Sequence, residues 1–344
     1  MPLTIRSGLT GITGKIARRL ARTSIVLYLA GLLPVSWRSY LQVRLSRLRR
    51  IANVYDYATR LEFADSAGPG SQRFRVVIYG AFFEIWNAAL VEPTLWGDVA
   101  GVVEVLRAAD RSSLNLPAPL RPDICTVIIP LGEEHYRDCP PRYLSLVPDA
   151  RSVATLSNKA SFAAYIDELG LAKLCPKNYG RIEDVEFPVV LKRVDLAGSI
   201  GVEFVRSRAD LDSLLKTPMF RGHKILMQAF VPGATEYVTH CVCKDGAILW
   251  HCTFAWDLGS VTQFGIPVFG ATVAVTAPCP ALPCLAAILA PLRYSGPCCM
   301  NYKLLPSGEI SIFEINPRLG GSLMNPRNID FLRQAMTHLV YNAR

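Results

Sequence analysis

From Arg73 onward the chain switches between two hydrophobic periods. RFRVVIYG (73–80) and ICTVIIP (124–130) are short, nearly continuous apolar runs, the pattern of strands covered on both faces. Between them, WGDVAGVVEVLRAAD (96–110) sets Val99, Val102, Val103 and Leu106 at helical spacing, which predicts a helix. Strand, helix and strand in that order predict a small parallel α/β domain. SNKASFAAYIDELG (157–170) predicts a helix with Phe162, Ile166 and Leu169 on one face and Gly170 as its carboxyl-terminal cap. EFPVVLKRVDLAGSIGVEFV (186–205) reads as strand, glycine loop, strand, and HKILMQAFVPGATEYVTHCVC (223–243) as two strands around Pro232-Gly233. NYKLLPSGEISIFEINPRLGGS (301–322) predicts a hairpin turning at Pro306, Ser307 and Gly308, then a polar, glycine-rich loop. DSAGPGSQ (65–72) is a linker and marks a domain start near Arg73.

Composition narrows the class. The chain has 344 residues, 51% hydrophobic and 19% charged, and no uncharged run supplies the roughly 20 consecutive apolar residues a spanning helix needs, which excludes a polytopic membrane protein. Residues 1–50 hold ten basic side chains and no Asp or Glu, so the net charge of +9 falls to −1 for the remainder. A nucleic-acid-binding face on the globular part therefore has no compositional support. Within the basic segment, TSIVLYLAGLLPVSW (23–37) is uncharged and too short to span. Three readings stay open for it: a helical extension packed on the body or on another subunit, a basic amphipathic helix on an anionic membrane surface, and an organelle transit peptide. The ten cysteines are scattered without CxxC spacing, which predicts buried reduced thiols and a cytoplasmic setting.

Two nucleotide motifs fail on inspection. GLTGITGKI (8–16) has Leu9 where a phosphate-binding Walker loop requires glycine and Ile16 where it requires a hydroxyl, and no GxGxxG follows the first strand. Four other segments carry chemistry together. Lys192 ends an apolar strand before Gly198, Ser199 and Gly201, whose backbone could close over phosphates beside a fixed cation. Gln228, Ala229, Phe230 and Val231 could present backbone groups to a purine edge, with Glu236 accepting from ribose hydroxyls. Lys159 opens a helix from which it could reach a phosphate. In FEINPR (313–318), strand alternation sends Glu314 and Asn316 to one face, as magnesium ligands, and Phe313 and Ile315 to the other, with Arg318 following as a fixed positive charge.

In order and spacing, SNKASF, FPVVLKRVDLAGSIGV, LMQAFVPGATEY and IFEINPRLGGS resemble the ATP-grasp superfamily of carboxylate-amine ligases, over residues 150–325. VIIPLGEEH (127–135) resembles the end of the α/β domain that precedes the grasp in that family. The resemblance implies an α/β architecture, with a small parallel α/β domain (73–150) ahead of the ATP-grasp domain (151–344); residues 1–70 lie outside it and are expected to form a basic, helical extension. It implies ATP and one or two magnesium ions as cofactors. Lys159 and Lys192 would touch phosphates, Gly198 to Gly201 would form the lid, Gln228 to Val231 the adenine hinge and Glu236 the ribose ligand. Glu314 and Asn316 would hold metal, with Asn301 able to add a carbonyl oxygen, Arg318 and Lys192 would act in catalysis, and Gly320, Gly321 and Ser322 would face the acid. One position departs from the family: where another acidic metal ligand is expected, the chain has the neutral Asn301.

The implied activity is ATP-dependent ligation of a small carboxylic acid, an amino acid among the options, to an amine through an acyl phosphate. Two alternatives stand beside it: a small-molecule kinase of the same fold, and a catalytically weakened ATP-binding sensor or membrane-attached partner, in either case with a homo-oligomer allowed. The lid, residues 195–201, is expected to move without nucleotide, and HCTFAWDLGSVTQFGIPVFG (251–270), with Trp256, Asp257, Thr262 and Gln263, is expected to line the acceptor region.

Overall fold

The structure is a computed structural model describing residues 60–65, 68, 71–80, 84–116, 118–119, 121–196, 201–258, 273–275 and 279–344. The basic segment, Gly198, Ser199, Thr262 and Gln263 lie outside these residues.

The first sheet has the order β1-β3-β2-β4, from β1 (Arg60–Glu62), β2 (Arg73–Tyr79), β3 (Val102–Ala108) and β4 (Ile124–Pro130). β2 runs parallel to both β3 and β4, while β1 closes the edge antiparallel to β3. Two expectations need correction here. The helical extension does not run through residue 70, because Arg60–Glu62 is a strand of this sheet on the far side of the linker. The helix placed over 96–110 is instead β3, and the helices of the crossover come earlier, as α1 (Glu84–Leu90) and α2 (Pro93–Trp96). Val99, Val102 and Leu106 do satisfy helical spacing, but VVEVLRA also supplies the β-branched run of a buried parallel strand, and burial on both faces decides in its favour. The parallel α/β character holds. Glu104, buried in mid-sheet, is compensated by Arg60 and Arg75, both within 2.7 Å. After β4 comes α3 (Glu133–Arg137).

Next come α4 (Ala150–Ser157) and α5 (Lys159–Glu168). The Asn158 side chain caps α5 by accepting from the N–H groups of Ala160 and Ser161, which fixes Lys159 in the first turn. Gly170, at φ +68°, ends the helix as the sequence predicts. The second sheet is antiparallel, in the order β5-β8-β6-β7, from β5 (Asn178–Tyr179), β6 (Val189–Arg193), β7 (Val202–Val205) and β8 (Ile225–Ala229), with α6 (Arg208–Leu215) between the last two.

The third sheet is also antiparallel, in the order β11-β10-β9-β12-β13: β9 (Thr235–Lys244), β10 (Ala247–Asp257), β11 (Val273–Ala274), β12 (Gly296–Leu304) and β13 (Ile310–Asn316). The two strands read around Pro232-Gly233 are β8 and β9, and they belong to different sheets, so residues 230–234 join the two halves of the cleft. Helix α7 (Leu282–Leu289) covers one face of the third sheet together with α4 and α5, burying Cys241, Cys243, Cys298, Met300, Ile312 and Ile315. On the other face, α8 (Ile329–Tyr341) and the first sheet pack against Val242, Cys252, Phe254 and Trp256. All ten cysteines are free thiols, but only five are buried, Cys241, Cys243, Cys252, Cys298 and Cys299, and the other five are half-buried, so the expected burial is met only in part.

Candidate active site

The site grows out of one face of the third sheet. Asn301 pairs with Val238 on one side and with Glu314 on the other, and Cys299 pairs with His240 and Asn316. Alternation therefore puts Glu236, Val238 and His240 of β9, Cys299, Asn301 and Lys303 of β12, and Glu314 and Asn316 of β13 on the same face. The amides of Asn301 and Asn316 each donate to Oε1 of Glu314 at 3.0 Å, and Oδ1 of Asn316 accepts from the Arg318 guanidinium at 3.2 Å. The expected grouping of Glu314, Asn316, Asn301 and Arg318 is met. Phe313 is different: a bulge opposite Asn301 and Tyr302 frees it from the side of Ile315, and it faces the cleft with its ring centre 5.4 Å from the Lys192 ammonium.

Charges from three elements converge on Glu314. Burial opposes ionisation of its carboxyl, yet the Asn316 hydrogen bond and the positive charges of Lys159, Lys192 and Arg318 hold it below the usual carboxylate range. Burial lowers Lys192 to about 8, with Glu314 pulling up and Lys159 pushing down. Lys159 donates to the Leu196 carbonyl at 2.7 Å, tying the stem of the glycine loop. Gly201 closes that loop at φ +71°, where a Cβ would lie 3.0 Å from Leu196 Cδ1. Glu236, 6% exposed, is raised to about 7 by burial, countered chiefly by Lys303.

A cavity of about 380 Å³ opens beside these groups, with Lys159, Asn178, Gln228 and Phe313 among its lining residues. The Gln228 amide donates to Asn178 at 2.9 Å, while its buried Oε1 has no hydrogen-bond partner. In the expected hinge, Ala229 and Phe230 already donate their N–H groups to Lys177 and Pro188, and the Val231 carbonyl accepts from Lys303. Beyond Arg318, Gly320 lies against His240, where an added Cβ would come within 2.3 Å of the ring, and Ser322 bonds His240 Nε2 at 2.6 Å. Trp256 is 4% exposed and belongs to the core, so it does not line an acceptor region; Asp257 is exposed.

No protein-family model matches the chain. A D-alanine–D-alanine ligase of Sulfurovum sp. (strain NBC37-1) is 36% identical over 87 residues, which is 25% of this chain and 22% of that protein's length. Among solved structures, the D-alanine–D-alanine ligase of Bacillus anthracis superposes with a TM-score of 0.52 at 16% identity, over 79% of this chain and 97% of that one. The phosphoribosylamine–glycine ligase of Thermotoga maritima gives 0.53 at 16% identity, over 74% and 70%. The fold is that of the ATP-grasp ligases.

Against the ATP-grasp fold, three residues of the site escaped the sequence reading. Glu133 follows the carboxyl end of β4, the customary ligand edge of a parallel sheet, and its Oε1 lies 3.9 Å from Arg318 Nε. Burial raises its carboxyl pKa while Arg318 opposes the rise. Lys303 and His240 share the face of Asn301 and Glu236, so alternation would have found them once those strands were anchored. Among the described residues no group of three or more His, Cys, Asp or Glu side chains could hold a metal.

Proposed function

We propose that the chain is an ATP-dependent ligase that activates a small carboxylic acid as an acyl phosphate and joins it to an amine. The observation that carries this reading is Glu314, a carboxylate bracketed by two amides and facing Lys159, Lys192 and Arg318. One carboxylate and two amide side chains suit magnesium completed by water and phosphate oxygens, and the neutral Asn301 favours one firmly held ion over two. Bound there, magnesium would screen the triphosphate and polarise its terminal phosphoryl group.

Lys159 and Lys192 neutralise phosphate charge, which lowers the repulsion between an incoming carboxylate and the nucleotide. The unpartnered Gln228 Oε1 suits an exocyclic amino group of a purine, and Glu236 suits ribose hydroxyls. Arg318 steadies negative charge on the acid as it is phosphorylated and attacked. Glu133 beside Arg318 sets opposite charges in one subsite, next to Gly320, Gly321 and Ser322, which fits a zwitterion such as an amino acid.

In this reading residues 73–150 form the leading α/β domain and 151–344 the grasp. No helix among the described residues is long and apolar enough to cross a membrane. The test is ADP release from MgATP against panels of acids and amines: release that needs both supports ligation. Release with a hydroxyl acceptor instead favours the kinase, and ATP binding without any ADP favours the sensor.

A further inference from the structure

Lys303 is the charged residue of the site that ligation leaves without a task. It is 1% exposed, two positions after Asn301 on the same face of β12. Its ammonium donates to the Val231 carbonyl at 3.3 Å and stands 5.6 Å from the centre of the Phe230 ring. Its stem passes beside Gly233, where an added Cβ would lie 3.7 Å from Cδ. The β9–β12 register runs as far as Tyr302 opposite Tyr237, and one further rung sets Lys303 across from Glu236. Side chains directly opposite in an antiparallel pair have their Cβ atoms about 5 Å apart.

An apolar side chain would fill this space without the cost of desolvating an ammonium, so packing alone does not account for a lysine here. Its three neighbours have something in common. The Val231 carbonyl and the Phe230 ring belong to the segment read as holding the base, and Glu236 is the residue read as holding the ribose. Resting on the ATP reading above, we infer that Lys303 is a nucleotide-positioning residue, which locks the 230–231 hinge to Glu236 and gives the site its selectivity for a ribonucleotide over deoxynucleotides. A cation opposite Glu236 keeps the carboxylate as an acceptor for ribose hydroxyls, alongside the other charges acting on it, Glu314 and Lys192. A site built to bond a hydroxyl penalises an analogue that lacks it, because its buried polar group is left unpaired.

The experiment is calorimetric titration of the full chain with MgATP, Mg-2′-deoxyATP and Mg-3′-deoxyATP. The wild type should bind ATP about tenfold tighter than at least one deoxy analogue. Lys303→Met should bring that ratio to less than about threefold, Lys303→Arg should keep most of it, and Glu236→Gln should flatten it so that adding Lys303→Met has no further effect. Lys303→Gln serves where the Met variant does not fold, and must flatten the ratio in the same way. A folded neutral variant that keeps the wild-type ratio overturns the inference and leaves the ligase reading standing. A wild type that does not bind MgATP removes both.

Discussion

Asn301 meets Glu314 across the β12–β13 ladder at 3.0 Å, on the same carboxylate oxygen that Asn316 reaches from within its own strand. A neutral partner thus stands where a second carboxylate would double the negative charge, and the lysines and Arg318 already outweigh the single charge that is there.

Replacing Glu314 by Gln removes that charge and keeps the shape. Turnover should fall by about 100-fold or more while the protein still folds, with the melting temperature lowered, because Lys159, Lys192 and Arg318 lose the anion they face. ADP-release kinetics and a melting curve measure both; near-normal turnover would take Glu314 out of the site.

Asn301→Asp tests the charge count from the other side. Without metal the variant should be less stable than wild type, since two carboxylates would share one site, and magnesium should raise its melting temperature more than it raises that of the wild type. Equal magnesium responses in the two proteins would mean that no ion binds beside residue 301.

Lys192 provides a pH signature. Its pKa is depressed to about 8, so the free protein carries this charge below that pH and loses it above. Phosphate binding favours the charged form and raises the pKa again, so ATP binding at pH 8.5 should take up a large fraction of a proton and weaken as pH rises further. Binding enthalpies in buffers of different ionisation heat report that proton; Lys192→Arg should abolish the uptake, and uptake retained in the Arg variant would assign it elsewhere.

Gly320→Ala probes the acid subsite through stability. The new Cβ would come within 2.3 Å of the His240 ring and 2.9 Å of Cys299 Sγ, so one of these must shift, at a cost of about 1–3 kcal/mol. Denaturant unfolding checks it, and an unchanged midpoint would mean that the Gly320–Ser322 turn does not press on His240.

These residues also mark how far the sequence could be read. The β12–β13 hairpin was legible because alternation and the Pro306-Ser307-Gly308 turn agree, and they place Glu314 beside Asn316. Phe313 was not, because the bulge that turns it toward Lys192 leaves no mark in its composition. Residues 99–106 fit both a helical period and a buried strand, and only the covering of both faces chooses between them. Lys303 and Glu133 depended on knowing which face of β12 and which end of β4 border the cleft. Neither can be read from spacing until the sheets are assembled.

The most direct test of the ligase reading is hydroxylamine trapping. With MgATP, hydroxylamine and a panel of small carboxylic acids, amino acids included, the account predicts one hydroxamate per ADP for the true acid and neither product from Glu314→Gln. ATP bound by the wild type with no hydroxamate from any acid, or ADP formed only with hydroxyl acceptors, would contradict it.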